Sequence, residues 1–437
     1  MQKLLRKIVH VEPEELPALG WSFAYFFFLL AGYYVLRPVR DEMGIRSGVQ
    51  NLPALMSATF LTMLAIAPIF GWLASRLERR RMLPAVYFFF IFNLGLFWLA
   101  MKEGVDPGWV ARIFYVWLSV FNLFVVSVFW SFMADLFTNA QAKRLFGVIA
   151  AGGSTGALLG PTLTTLFVGS VGTHGLMLIA AGFLFVCVAC IHRLDRWSAI
   201  RTDGAQRRDV QAAEAAIGGS VWAGLRLAAT SPYLAAICLY IFLLTWTSVL
   251  LYLEQSRIIA AEFSSSVERT RYFAHVDLIV NALTLACQLF LTNRVIERLG
   301  LAAALVFLPA ISVIGFFGMA GTPLLTTLVA FAVARRVGEY AIAKPAREVL
   351  FTVVDRESKY KAKNFIDTAV TRGGEAASGW LVNGIKALGA TAAQLAAVAI
   401  PISIGWAVLG WVLARQHDRI KAGSEPSEPA ARVAASS

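Results

Sequence analysis

The sequence predicts an all-α polytopic membrane protein, about twelve transmembrane helices arranged as two six-helix bundles. Three observations predict it. First, 58% of the 437 residues are hydrophobic and only 15% are charged, with 31 Phe and 12 Trp. No soluble core of this size hides that much apolar surface. Second, apolar runs long enough to span a bilayer, which takes ~20 residues each, recur along the chain. Third, the longest polar stretch, Arg193–Ser220, divides those runs six and six.

In order, the predicted spans are 17–37, 52–74, 83–101, 108–135, 145–168 and 174–192, then 232–253, 272–292, 301–321, 323–352, 363–385 and 391–414. The first residues, with Lys3, Arg6, Lys7, Glu12, Glu14 and Glu15, are too polar for a signal peptide. The apolar run after them is too long for a signal-peptide core, so retention of the N-terminus is expected. The expected organisation is a bundle over 1–195, a cytoplasmic linker over 196–220, a second bundle over 221–415 and a disordered cytoplasmic tail over 416–437, rich in Gly, Ser, Pro and Ala. With a cytoplasmic N-terminus, the cytoplasmic segments carry 25 Lys and Arg and the outward ones 9. That bias predicts both termini in the cytoplasm, and a bacterial inner-membrane location is expected.

The same scatter of basic residues accounts for the net charge of +12 as loops facing anionic lipid. Nucleic acid is therefore not an expected partner, since no basic patch of the kind such proteins carry is present. The four cysteines, Cys187, Cys190, Cys238 and Cys287, all fall in spans, and Cys187-x-x-Cys190 reads as helix packing rather than a redox pair. No metal-ligand set, cofactor motif or nucleophile–base pair is found. An enzyme is not expected, and neither is a bound cofactor. "AAGGSTGALLGP" (150–161) suggests a phosphate loop but lacks the Gly-Lys-Ser/Thr ending. Its Gly152, Gly156 and Gly160 recur every fourth residue, the spacing of close helix packing in lipid.

Charge inside spans is the informative signal, because an isolated charge at mid-bilayer costs at least ~2.5 kcal/mol. The tenth span, "VARRVGEYAIAKPAREVLF", holds Arg335, Arg336, Glu339, Lys344, Arg347 and Glu348. Arg335 with Glu339, and Lys344 with Glu348, are i, i+4 pairs; Arg336, Tyr340, Lys344 and Arg347 are expected on one face. Such a helix must face water. In the first span, Tyr33, Arg37, Arg40, Asp41 and Gly44 also share a helical face, with Pro38 among them. A snorkelling anchor is the alternative for that group. The fourth span offers Tyr115, Ser119, Asn122 and Trp130 as weaker candidates. In the eleventh, Arg372 and Glu375 are close enough to pair. His275 beside Asp277, at the start of the eighth, reads as an interfacial histidine or a proton relay.

The two halves echo each other. "SRLERRR" (75–81) matches "NRVIERLG" (293–300), and "AKRLFGVIAAGG" (142–153) matches "AKNFIDTAVTRGG" (362–374). Parallel repeats of this kind build transporters that rock two halves about a central site. "GWLASRLERRR" (71–81) resembles the loop signature of the major facilitator superfamily through Gly71, Leu73, Ala74, Arg76, Arg79 and Arg80, with Ser75 and Glu78 departing from it.

"YYVLRPVRDEMG" (33–44), "VFWSFMADLFTNAQAKRLFGVIAAGG" (128–153) and "YKAKNFIDTAVTRGG" (360–374) together resemble the nucleotide exchange transporters. These are the ATP/ADP antiporters of plastids and intracellular bacteria and their bacterial relatives. The resemblance implies a major-facilitator-like fold, exchange of a nucleoside triphosphate for a diphosphate, and cations gripping phosphates. Arg40 keeps the family's first-helix cation; Trp117-Leu118 and Ser248 stand where the family has glutamates, and Glu375 where it has a lysine. The expected function is secondary transport of an anionic organic solute by alternating access, with an ATP/ADP-type nucleotide as the specific candidate. Arg37, Arg40, Arg336, Lys344 and Arg372 would grip the cargo, as arginine forks suit phosphate and carboxylate oxygens. Asp41, Glu339 and Glu375 would balance them or carry a coupled proton. A monomer in contact with membrane lipids is expected. The rivals are a proton-coupled carrier of a non-nucleotide metabolite, a receptor or scaffold, and a membrane enzyme acting on a lipid-linked substrate.

Overall fold

The structure, a computed structural model, describes residues 11–76, 79–201, 226–227, 230–322 and 324–424. Among these, α1 (Leu16–Arg46), α2 (Leu52–Arg76), α3 (Arg79–Lys102), α4 (Pro107–Leu136) and α5 (Asn139–Arg201) come first. They are followed by α6 (Pro232–Glu262), α7 (Ser266–Phe290) and α8 (Thr292–Gly321). Then α9 (Leu325–Gly338), a π-helical turn (Glu339–Ala343) and α10 (Lys344–Leu350) form one broken run. A second run joins α11 (Arg356–Phe365), a π-helical segment (Ile366–Gly373) and α12 (Gly374–Ala387); α13 (Ala392–Ser424) is last. Every regular element described is helical, as lipid demands of a chain that must satisfy its own backbone.

By length and composition, nine described helices suffice to cross a membrane. One of them, α5, is two helices end to end. Gly172 sits at φ 69°, a conformation only glycine adopts cheaply, and it separates the fifth predicted span from the sixth. The tenth and eleventh predicted spans correspond to the two runs interrupted by π-helix. Each of the twelve predicted spans is therefore helical over most of its described residues.

The chain forms two compact units, 1–215 with 253–282, and 216–252 with 283–437. The later parts of α6 and the earlier part of α7 thus belong to the first unit. Of the segment expected as a linker, residues 196–201 continue α5, and 202–220 lie outside the described residues. The expected disordered tail is corrected over 416–424, where α13 continues to Ser424. His417 explains the extension. It is 5% exposed and hydrogen-bonds Thr352 Oγ1 at 3.2 Å, so this turn packs rather than frays. Residues 425–437 lie outside the described set.

In the first unit, α1 is the central element, sheathed by aromatic rings. Tyr25 lies edge-on to Phe129 at 4.8 Å, and Phe26 stacks on Phe129 at 4.3 Å. The 150–161 stretch is helix and packs against α1. A Cβ on Gly152 would lie 2.6 Å from the Phe23 carbonyl oxygen. One on Gly156 would meet the Phe27 oxygen at 2.2 Å, and one on Gly160 the Ala31 oxygen at 2.7 Å. Backbones this close are the reason for the four-residue glycine repeat. Cys187 and Cys190 are fully buried in α5, and Cys187 Sγ sits 3.7 Å from the Tyr25 carbonyl oxygen. Trp130 packs on Phe26 and Phe146.

The entry to α1 is fixed by Glu15. Its carboxylate, 1% exposed, accepts from the Glu12 amide at 3.1 Å, Gln141 Nε2 at 2.9 Å and Arg144 Nη2 at 2.9 Å. Burial opposes ionisation, but these hydrogen bonds and the Arg144 charge outweigh it and lower the Glu15 pKa from the ordinary 4.5.

Candidate functional site

In the first unit, the predicted charges gather toward the end of α1, which runs nine residues beyond its predicted limit, through Pro38, to Arg46. Arg40 donates to Asp41 Oδ1 at 2.7 Å and lies 5.3 Å over the Tyr115 ring of α4. Gly44 abuts that ring as well: a Cβ there would stand 3.2 Å from it. Arg37 lies 5.6 Å over the Tyr34 ring and pairs with Asp277 of α7 at 3.5 Å. Tyr33 is buried at 9% exposure and Asp41 at 7%. Arg37 and Arg40 are partly accessible, with side chains 14% and 19% exposed. Asn122 is half-buried two turns along α4 from Tyr115, on the same face. Ser119 hydrogen-bonds the Tyr115 carbonyl at 2.9 Å. His275 is exposed on α7.

Just beyond lies Glu42, which the sequence reading passed over. It is 0% exposed and pairs with Arg269 of α7 at 3.1 Å. Two carboxylate–arginine pairs therefore join α1 to α7, Arg37–Asp277 and Glu42–Arg269. Buried ions tolerate low dielectric only when paired in this way.

In the second unit, Arg335 is the most buried charge, at 2% exposure. Its Nη1 donates to Ser248 Oγ at 3.0 Å and Glu339 Oε2 at 3.3 Å, and its Nη2 to the Leu244 carbonyl at 2.9 Å and Thr247 Oγ1 at 3.1 Å. The Arg335–Glu339 pair thus forms at its expected spacing. Ser248, where the resembled family has a glutamate, accepts from this arginine.

The single expected face of Arg336, Tyr340, Lys344 and Arg347 needs correction, because the π turn lies inside it. The cause is legible in Pro345. It has no N–H to offer the Ala341 carbonyl four residues earlier, and that carbonyl accepts instead from Thr292 Oγ1 at 2.8 Å. The Lys344 N–H reaches back five residues to the Glu339 carbonyl, and the Tyr340 carbonyl takes Gln288 Nε2 at 3.3 Å. The widened turn adds a residue, so a 3.6-residue count no longer holds across it. Arg336, Tyr340 and Arg347 are half-buried and Lys344 is exposed. The expected Lys344–Glu348 pair is also corrected: Glu348 accepts from Lys363 Nζ at 2.6 Å.

The eleventh predicted span has the same character. Its π segment, Ile366–Gly373, contains Arg372, which pairs with Glu375 at 3.0 Å, both side chains 30% exposed. Thr371 Oγ1 donates to the Ile366 carbonyl, five residues back, at 3.0 Å. Both π segments thus fall beside the candidate charges, and single-turn π-bulges are frequent at functional sites. Among the described residues, no group of three His, Cys, Asp or Glu could hold a metal ion.

Residues 24–338 match the sequence model of the Major Facilitator Superfamily. The chain belongs to the major facilitator superfamily. Solved superfamily-like structures agree with it in fold. A bacterial homologue of the human lysosomal transporter Spinster, inward-facing and unoccupied, aligns over 96% of this chain and 100% of its own, with TM-score 0.56 and 14% identity. A POT family transporter in complex with a thioalcohol-conjugated peptide aligns over 92% and 96%, at 0.59 and 13%. A variant of the nucleoside transporter NupG aligns over 93% and 99%, at 0.61 and 12%. Identities this low show the fold alone. No curated protein sequence matches the chain. Superfamily membership therefore rests on the sequence model, and it makes the protein a transporter-type membrane protein without specifying a cargo.

Proposed function

We propose that the protein is a secondary carrier that moves an anionic organic solute by alternating access. The observation that carries this is the run Leu325–Leu350. It holds four cations, Arg335, Arg336, Lys344 and Arg347, against two carboxylates, Glu339 and Glu348. Lys344 is exposed there, and an exposed ammonium within the hydrocarbon core is costly. Water in a cavity relieves that cost, and surplus cations in such a cavity attract anions. Taken by itself, the first unit has partly accessible cations in Arg37 and Arg40 of α1, and the second has a further one in Arg372. The specific cargo we put forward is an ATP/ADP-type nucleotide taken in exchange, supported by the α1 stretch that resembles the nucleotide antiporters. The setting proposed is a bacterial inner membrane with both termini in the cytoplasm.

A second reading draws on Glu339 and Glu375, each beside an arginine at 3.3 Å and 3.0 Å. A carboxylate that alternates between an arginine and a proton suits a proton-coupled carrier of a non-nucleotide metabolite. Counterflow distinguishes the two. Proteoliposomes loaded with ADP should accumulate labelled ATP if the first reading holds. If folded, inserted protein shows no exchange but moves another organic anion with a proton gradient, the second holds. Movement of no anion under either condition overturns both.

A further inference from the structure

On the first unit, α2, α3 and α4 enclose an apolar groove of about 890 Å³. Ala58, Ile66, Phe89, Ile113 and Val116 are among its walls, and Arg112 is the one charged side chain among the described residues that line it. Phe89 and Ile113 are 59% and 57% exposed, so the groove opens on a face that helices of this length present to lipid.

Arg112 sits near the start of α4, stacked 5.0 Å over the Trp109 ring. Its Nε is buried with no hydrogen-bond partner among the described residues, as is the indole Nε1 of Trp117, which also lines the groove. The acidic neighbours are Asp106 and Glu103. Asp106 is committed to capping α4, accepting from the Gly108 and Trp109 amides at 2.9 and 3.3 Å, and Glu103 is exposed in the turn. Lys102, over the Trp98 ring at 5.0 Å, adds a second cation at this end. From Arg112 to Phe124, both lining the groove, α4 rises about 18 Å, close to the depth of one leaflet of a ~30 Å hydrocarbon core.

We propose that this groove binds an anionic phospholipid, with its phosphate at Arg112 and an acyl chain lying along Ala58, Ile66 and Val116. The shape is that of a hydrocarbon chain, and the charge at the membrane-surface end is that of its headgroup's partner. A soluble anion would have no use for the walls, and a zwitterionic phospholipid would bring to the arginine a phosphate whose charge its own ammonium offsets.

The test uses the full chain in nanodiscs with phosphatidylglycerol or phosphatidylethanolamine probes carrying a photoreactive acyl chain. Adducts should map to the α2, α3 and α4 peptides, with phosphatidylglycerol favoured about fivefold, the ratio given by ~1 kcal/mol per arginine at an anionic surface. Arg112→Gln should bring that ratio near one while Arg112→Lys keeps most of it. Ala58→Phe, which fills the groove and leaves Arg112 in place, should remove the adducts for both lipids, and it serves if Arg112→Gln fails to fold. Adducts spread over other helices, or a preference that survives Arg112→Gln, overturn the proposal. So does loss of adducts accompanied by α4–α4 crosslinks between chains, since the occupant is then a second copy.

Discussion

Arg335 and Glu339 lie one helical turn apart and touch at 3.3 Å, and the same guanidinium ties α9 to Ser248, Thr247 and Leu244 of α6. The pair therefore serves two ends at once. It neutralises a buried charge, and it fixes the helix entering the π turn. Breaking such a pair costs more than removing it whole, because a single deletion strands a charge.

Glu339→Ala is accordingly expected to destabilise the protein by roughly 2–4 kcal/mol, discounted because the Glu339 side chain is 19% exposed. Arg335→Met with Glu339→Gln should cost less than the two single changes summed. Unfolding in mixed micelles measures this. Strict additivity would mean the pair is not coupled.

Arg40→Ala should abolish transport while the protein inserts and elutes as the parent does. Arg40 is 19% exposed at the side chain and faces Asp41 and Tyr115. Because its removal alone leaves the buried Asp41 carboxylate without this partner, Arg40→Ala with Asp41→Asn is the matching variant that controls for folding. A fall of at least ~100-fold in exchange is expected, as for removal of a charge that meets the cargo. Parent-like transport by this variant would exclude Arg40 from the binding site.

Two glycines on α5 should respond in opposite directions to the same change. At Gly156 a Cβ would stand 2.2 Å from the Phe27 carbonyl oxygen, whereas at Gly147 nothing lies within 4 Å. Gly156→Ala must push α1 and α5 apart, with a cost of about 1–3 kcal/mol. Gly147→Ala should leave stability unchanged or raise it by up to ~1 kcal/mol through helix propensity. Thermal melts of the two variants side by side decide it.

Glu15 gives the pH dependence. Its folded-state pKa is lowered, so the folded protein favours the carboxylate. The resulting stability is fully present above the ordinary value of 4.5 and is lost as pH falls through the lower folded value. Glu15→Gln should be less stable than the parent at pH 7, by roughly 1–3 kcal/mol, and the gap should close on acidification below about 4.5. A gap that stays constant with pH would assign the loss to shape rather than charge.

Taken alone, the sequence determined the class of fold and the place of nearly every helix. Apolar runs of about twenty residues match the thickness of a bilayer, and charge inside them is costly, so Arg335, Glu339, Lys344 and Arg372 stand out in the sequence as candidates. The glycine repeat at 152, 156 and 160 also declared its packing role, because spacing along one helix face needs only local geometry. What the tertiary structure decided is who meets whom. Asp277 for Arg37, Arg269 for Glu42, Lys363 for Glu348 and Ser248 for Arg335 are partners from other helices. One-dimensional spacing carries no information about those neighbours. The π turn stands between the two cases. Pro345 announced a missing hydrogen bond, but only Thr292 and Gln288, arriving from α8 and α7, settle the freed carbonyls and let the turn widen.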